Sequence, residues 1–312
     1  MQKIKKLHIF ILSLGTCFLL ISVYFGYRLI TVLGADKTWI KDFNYQEGEI
    51  HKLYFNTFGV TECPFIPISV GDKEFRVGFD TGCGSGFSLT NAIEDKIDFT
   101  YLSKIEALNR DGSHRGWAKN VLIDNLTVFG ETYENINTYI NDWTMLSSEK
   151  FNGLIGLTYF KSKVITLDYQ GQRIAVSSNP IDYTKLNPDK YVVLPLYHTT
   201  TKGQEDLPFF NATYENKPVM VYLDTGKNYS YVLDENGKYS SNDKPTDFTD
   251  TNLTIGSLDL KLNHMTRVND LAQGESLPYP VMIELNSDQI IKNNLLITFD
   301  LIEEKIIFCK LD

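Results

Sequence analysis

Two stretches of this chain end in the same three residues: FIPISVGDKEFRVGFDTG at positions 65–82 and LPFFNATYENKPVMVYLDTG at positions 207–226. Each stretch reads as an apolar strand, a polar turn, a second apolar strand and then Asp-Thr-Gly. The two aspartates, Asp80 and Asp224, are 144 positions apart. The match predicts an internal repeat in which both halves of the chain have the same order of elements.

A second pair of matching stretches follows the first. KVITLDYQGQRIAV (163–176) is similar to LLITFDLIEEKIIF (295–308), and each reads as strand, Asp, turn and strand. Short alternating segments bounded by turn residues recur elsewhere, which is typical of an all-β fold. The clearest of these predicted strands are Phe65–Val70, Glu74–Phe79, Asn120–Phe129 and Val164–Leu167. Helical periodicity is sparse, and short helices are expected only within Asn91–Leu108 and Ser287–Asn294.

The composition is that of a globular protein outside the first segment. The 312 residues are 43% apolar and 22% charged, with a net charge of −9. No basic cluster follows the first few residues, so nucleic-acid binding is disfavoured. The five histidines show no metal-ligand spacing.

The N-terminal segment has the pattern of a membrane anchor. Three lysines at positions 3, 5 and 6 precede an uncharged run from Leu7 to Tyr27, which is long enough to cross a bilayer as a helix. A cleaved signal ending near Leu33-Gly34-Ala35 is the main alternative, and a lipoprotein signal at Cys17 fits less well. The expected organisation is a cytoplasmic stub and anchor (1–33), a polar stalk (34–52), a first unit (53–187) and a second unit (188–312), with both units outside the cytoplasm.

With Asp-Thr-Gly present twice in a matched repeat, the sequence resembles the aspartic protease superfamily, which includes pepsin-like and retropepsin-like proteins. Residues 152–157, Asn-Gly-Leu-Ile-Gly-Leu, extend the resemblance, because pepsin-like lobes place two apolar residues and a Gly before a strand ending in Asp. The resemblance covers about residues 53–312. It implies an all-β, bilobal pepsin-like fold with Asp80 and Asp224 at the floor of a cleft.

Two adjacent carboxyl groups suit hydrolysis without a metal or a covalent nucleophile. They cannot both ionise cheaply, so they share a proton, and one serves as base while the other serves as acid; aspartic proteases are a standard example of this behaviour. The resemblance gives Thr81 and Thr225 the role of locking the two loops together. Gly82 and Gly226 would permit tight turns and close backbone approach.

A hairpin covering the cleft is also implied by the resemblance. The candidate is Glu106–Ala118, with Asp111 and Gly112 at its tip, and this span contains no Tyr of the kind that pepsin-like flaps carry. Plain packing is the expected role of Trp117, and substitution for the flap Tyr is the alternative.

Three positions depart from the family pattern. Cys83 and Lys227 follow the two Asp-Thr-Gly motifs where Ser, Thr or Ala is common. The Lys227 ammonium is expected to turn outward into solvent; the alternative is an ammonium beside the carboxyl pair, which would favour ionisation of both aspartates and oppose proton sharing. In the second half the nearest match to the apolar-apolar-Gly element is Val281-Met282-Ile283. Cys63 and Cys309 are expected to be unpaired, although a bond between them is the alternative.

The expected function is that of a single-pass, membrane-anchored aspartic endopeptidase that cleaves an extended polypeptide. It would need no cofactor or metal, would contact the lipid bilayer through its N-terminal helix and would act as a monomer. The alternatives are a catalytically inactive pepsin-like module that binds peptides or proteins at a membrane surface, and a structural β-protein whose two Asp-Thr-Gly turns lie far apart.

Overall fold

The computed structural model describes residues 32–55, 63–108, 114–142, 151–227, 229–234, 248–272 and 274–311, together with single positions 16, 22, 23 and 26. This part of the chain is predominantly β-structure, which confirms the all-β prediction. None of its helices is long and apolar enough to span a bilayer. Most of the predicted anchor, Leu7–Tyr27, lies outside the described residues, so it stays a prediction.

Nineteen strands are assigned in the described residues. They are β1 (Ile50–Lys52), β2 (Phe65–Val70), β3 (Lys73–Phe79), β4 (Phe87–Thr90), β5 (Thr100–Leu108), β6 (His114–Val128), β7 (Glu131–Asn141), β8 (Gly153–Ile155), β9 (Val164–Asp168), β10 (Arg173–Ser177), β11 (Val192–Pro195), β12 (Phe209–Tyr214), β13 (Lys217–Asp224), β14 (Tyr231–Leu233), β15 (Phe248–Ile255), β16 (Leu258–Val268), β17 (Val281–Asn286), β18 (Leu295–Asp300) and β19 (Lys305–Lys310). The four strands predicted most clearly from sequence correspond to β2, β3, β6 and β9.

The strands form three sheets. A seven-stranded sheet in the first half has the order β2-β3-β8-β4-β7-β6-β5, with β2 also pairing with β6. In the second half, β12-β13-β17-β14-β16-β15 form a six-stranded sheet that closes on itself. The third sheet, β1-β10-β9-β18-β19-β11, draws strands from both halves.

The third sheet displays the internal repeat directly. Its two central strands, β9 and β18, come from the second pair of matching stretches and run antiparallel. Thr166 lies opposite Thr298, and their hydroxyl oxygens are 2.7 Å apart. Leu296 pairs with Asp168 and Asp300 with Val164, so the register is symmetric about the two threonines. The halves are therefore related by an approximate two-fold rotation at this point.

Two short α-helices have both ends within the described residues, α1 (Thr38–Asp42) and α2 (Ser287–Lys292), and positions 16, 22, 23, 26 and 32–34 are also helical. The helix predicted within Ser287–Asn294 is confirmed as α2. The short helix predicted within Asn91–Leu108 is present as a 3₁₀ helix at Asn91–Lys96, and strand β5 follows it.

The segment expected to be a polar stalk, residues 34–52, is folded onto the third sheet. Trp39 is fully buried, Phe43 and Tyr45 are nearly so, and all three join an apolar cluster with residues of β9, β18 and β19. The Tyr45 hydroxyl lies 2.8 Å from the Thr166 hydroxyl, and β1 pairs with β10. The stalk prediction is wrong because three aromatic side chains give this polar segment enough apolar surface to dock.

Candidate active site

Each Asp-Thr-Gly turn is carried by the same arrangement of three strands. In the first half, β8 lies between β3 and β4, parallel to β3 and antiparallel to β4. In the second half, β17 lies between β13 and β14, parallel to β13 and antiparallel to β14. Asp80 follows β3, and Asp224 ends β13. The repeated topology delivers one carboxyl group from each half to the same place.

The two threonines join the loops by reciprocal hydrogen bonds. The Thr81 hydroxyl donates to the Leu223 carbonyl at 2.7 Å, and the Thr225 hydroxyl donates to the Phe79 carbonyl at 2.6 Å. The backbone N–H of Thr81 donates to the Thr225 hydroxyl at 3.0 Å, and the reverse bond is 3.1 Å. All four bonds are buried, so the loops are fixed relative to each other as the resemblance implies.

The two glycines are required by close approach. A Cβ atom on Gly82 would lie 2.5 Å from Cγ of Asp224, and one on Gly226 would lie 2.2 Å from Cγ of Asp80. Neither glycine has a positive φ angle, so a side chain is excluded by the lack of space and not by the backbone conformation. Each glycine also donates its N–H to the aspartate of its own loop, at 2.8 Å to Asp80 and 3.0 Å to Asp224.

The two carboxyl groups are buried against each other. Asp80 is 9% exposed and Asp224 is 5% exposed. Burial raises the pKa of Asp80 well above its usual range, and the charge of Asp224 and a hydrogen bond to that carboxyl raise it further. The Gly82 N–H and the charge of Lys227 oppose this rise to a smaller extent. Such a pair holds a proton at a pH where an isolated carboxyl would have lost it.

Cys83, which follows the first Asp-Thr-Gly motif, is a thiol with a raised pKa. The Cys83 Sγ lies 3.4 Å from the hydroxyl of Ser85. Burial and the charge of Asp80 raise the pKa of the Cys83 thiol to about 12, which leaves almost no thiolate at neutral pH. Cys63, Cys83 and Cys309 form no disulfide within the described residues, in agreement with the prediction for Cys63 and Cys309.

The outward orientation predicted for Lys227 is wrong. Its ammonium donates to Oε1 of Glu284 at 2.6 Å and lies 3.4 Å from Oδ2 of Asp224. Part of the Lys227 side chain is exposed, but its ammonium points toward the carboxyl pair because it binds the buried carboxyl group of Glu284.

The match chosen for the second half, Val281-Met282-Ile283, is also wrong, by three residues. Leu154-Ile155-Gly156 and Glu284-Leu285-Asn286 occupy equivalent positions, because Ile155 pairs with Phe79 just as Leu285 pairs with Leu223. Sequence reasoning missed Glu284 and Asn286 because both are polar. A spacing signal existed: Gly156 lies 12 residues before Asp168, and Asn286 lies 14 before Asp300.

The candidate flap is only partly described. Asp111 and Gly112 lie outside the described residues. The strands on either side, β5 and β6, pair as a hairpin in which Trp117 lies opposite Glu106. Trp117 is 48% exposed, and the Lys104 ammonium sits 4.1 Å from its ring centre. Its ring therefore lies on the surface of the hairpin and not in the core.

The arrangement can act chemically on a water molecule and a polar bond placed beside it. One carboxylate can accept a proton from the water while the protonated partner donates to the other reactant. Within the described ranges, no group of three or more His, Cys, Asp or Glu side chains is placed to bind a metal ion. No protein-family model matches the chain, and no curated protein matches it.

Proposed function

We propose that this chain is an aspartic endopeptidase with the bilobal fold of pepsin-like proteins, held at a membrane by its N-terminal segment. The observation that carries the proposal is the reciprocal bonding of Thr81 and Thr225, which holds the two buried aspartates in contact. A single Asp-Thr-Gly turn is an ordinary turn, whereas two turns locked face to face form a rigid pair of carboxyl groups.

The reaction follows from the shared proton. The ionised carboxyl takes a proton from water as the water oxygen bonds to the peptide carbonyl carbon, and the protonated carboxyl gives its proton to the carbonyl oxygen. The tetrahedral intermediate collapses when the carboxyl that accepted the water proton gives it to the nitrogen and the C–N bond breaks. The other carboxyl takes back a proton from one hydroxyl of the intermediate, so an amine and a carboxylic acid leave and the carboxyl pair is restored. The enzyme forms no covalent bond with the substrate.

The substrate is proposed to be an extended polypeptide lying between the two lobes and under the β5–β6 hairpin. The membrane location rests on the basic flank and the apolar run of the first 27 residues. These features support the proposal that both lobes lie outside the cytoplasm.

The test uses the full chain in mild detergent with an unfolded, reduced and alkylated protein as substrate. We expect cleavage at acidic to neutral pH that pepstatin inhibits and that Asp80→Asn and Asp224→Asn each abolish. Asp72→Asn is the matched control, because Asp72 is an exposed turn residue far along the strand from the site.

Absence of cleavage by the unmodified protein, or cleavage that survives both substitutions, would refute the proposal. The alternative is a peptide-binding module without activity, and the observation in its favour is the lysine ammonium 3.4 Å from Asp224. Saturable binding of the unfolded protein without cleavage would support that alternative.

A further inference from the structure

The polar residues that distinguish the second Asp-Thr-Gly environment from the first are in contact with one another. Lys227 stands where the first half has Cys83, and Glu284 and Asn286 stand where it has Leu154 and Gly156. Oε1 of Glu284 accepts from the Lys227 ammonium at 2.6 Å and lies 3.3 Å from Nδ2 of Asn286. Departures that are separate along the sequence thus form one hydrogen-bonded cluster beside Asp224.

The cluster fixes the position of a positive charge. Glu284 is 1% exposed, and a buried carboxylate is stable only with a cation or several hydrogen-bond donors around it. The Lys227 side chain is flexible, but its ammonium is held in place because Glu284 is buried and cannot reach solvent instead. In this position it lies 3.4 Å from the carboxyl oxygen of Asp224 that is not bonded to Gly226.

From this geometry we infer that Lys227, anchored by Glu284, is a positioning residue that keeps Asp224 ionised and leaves the shared proton on Asp80. The inference rests on the proposed function, since it assigns the roles of the two carboxyl groups. Asp224 is then the base that takes the proton from water, and Asp80 is the acid that gives its proton to the carbonyl oxygen.

The electrostatics of the pair agree with this assignment. An opposite charge within about 4 Å favours the ionised form of a carboxyl. The raised pKa of Asp80 has burial and the charge of Asp224 as its main causes, and Lys227 is a minor opposing influence on it. The lysine lies 3.4 Å from Asp224 and is only a minor influence on Asp80, so its placement makes the surroundings of the two carboxyl groups unequal.

The other titratable groups around the cluster are Tyr231 beside the lysine, Tyr222 beside Gly82, the thiols Cys63 and Cys83 on the side of Asp80, and Asp288 on α2. The pKa of Tyr231 and the pKa of each thiol are raised, mainly by burial, so these groups stay neutral. Asp288 is paired with Lys292 at 3.1 Å.

The first test is the pH profile of kcat/KM for the full chain and four variants. Lys227→Met/Glu284→Gln removes both charges without leaving a buried carboxylate unpaired, and we expect its apparent pKa values to rise by about one unit. Lys227→Met alone shifts in the same direction. Glu284→Gln leaves Asp224 as the nearest carboxylate to the ammonium and shifts the profile to lower pH, whereas Lys227→Arg keeps the profile of the unmodified protein.

Opposite shifts from the two ends of one ion pair are not expected of a purely structural pair. A double variant whose activity falls while its pH profile superimposes on that of the unmodified protein would overturn the inference and leave the protease proposal standing.

The second test does not depend on activity. The side-chain carboxyl ¹³C resonances of Asp80 and Asp224, assigned with the two Asp→Asn variants, report directly which carboxyl holds the proton. We expect Asp80 to give the resonance of a protonated carboxyl while Asp224 gives that of a carboxylate, and this difference to shrink in Lys227→Met/Glu284→Gln. A shared proton found on Asp224 and not on Asp80 would overturn the inference, whether or not the protein cleaves a substrate.

Discussion

Thr81 and Thr225 each use one hydroxyl group both to donate to the other half's strand and to accept from the other threonine's backbone. The exposed fraction of each side chain is at most 1%. Because the bonds are buried and reciprocal, neither loop can shift without breaking bonds of the other. The separation of the aspartates is thus set by the threonines.

Replacing Thr225 with Val should both destabilise the protein and reduce activity. The change keeps the shape but leaves the Phe79 carbonyl and the Thr81 N–H buried without partners, and each such group costs about 1–3 kcal/mol. Urea unfolding of the full chain measures the loss, and kcat on the unfolded substrate measures the misplacement of the aspartates. Thr225→Ser is the control, since it keeps the hydroxyl; equal stability of the Val and Ser variants would contradict the prediction.

Gly226→Ala should abolish activity even where the protein still folds. The added Cβ would lie 2.2 Å from Cγ of Asp80, so the carboxyl must move out of contact with Asp224. Gly48→Ala is the matched control, because a Cβ there meets nothing within 4 Å. The two variants are compared by kcat and by circular dichroism. Activity in Gly226→Ala close to that of Gly48→Ala would show that the loops are farther apart than described.

Much of this site was predictable because its signals are local. The strands that lead to Asp80 and Asp224 both run from an exposed start into a buried apolar end, and the two copies match along the sequence. Glu284 and Asn286 could not be recognised in this way. They lie in a strand that is buried along its whole length, and polar residues there break the apolar pattern on which strand prediction depends.

The orientation of the Lys227 side chain was also predicted wrongly, because it depends on a contact that is distant in the sequence. Four methylene groups let a lysine reach either solvent or a nearby carboxylate. The choice depends on Glu284, which lies 57 residues later and becomes a neighbour only through the parallel pairing of β13 with β17. Sequence spacing carries no information about that contact.

The burial of Asp80 should be visible as a pH-dependent stability. Its pKa is raised in the folded state, so folding is favoured at low pH, and this contribution is lost as the pH rises from the unfolded value near 4 through the folded value. Each unit of elevation costs about 1.4 kcal/mol once the group is ionised. Asp80→Asn should therefore be more stable than the unmodified protein at pH 8 and equal to it near pH 3.

Urea unfolding at both pH values measures this difference for the full chain. Asp182→Asn is a useful contrast, because Asp182 is exposed and its pKa is lowered to about 2 by Lys185 and Thr184. The same stability of Asp80→Asn relative to the unmodified protein at pH 3 and pH 8 would mean that Asp80 is not held in a protonated pair.

The segment between the predicted anchor and the first unit should contribute to folding stability. Trp39 is fully buried, its ring packs edge-on against Tyr45 with centroids 5.7 Å apart, and Tyr45 in turn reaches Thr166 at the centre of the third sheet. A flexible stalk would tolerate any substitution here. Trp39→Ala should instead cost about 3–5 kcal/mol, as expected for removal of a buried aromatic side chain.

Lys41→Ala in the same helix is the matched control, because Lys41 is exposed and should change the free energy of unfolding by less than about 0.5 kcal/mol. Because Thr166 and Thr298 lie at the approximate two-fold axis, loosening this cluster should also weaken the packing that joins the two halves. The two variants are compared by urea unfolding, with far-UV circular dichroism as the signal because it does not depend on Trp39. If Trp39→Ala unfolds at the same urea concentration as Lys41→Ala, residues 34–52 do not dock in solution and the stalk interpretation stands.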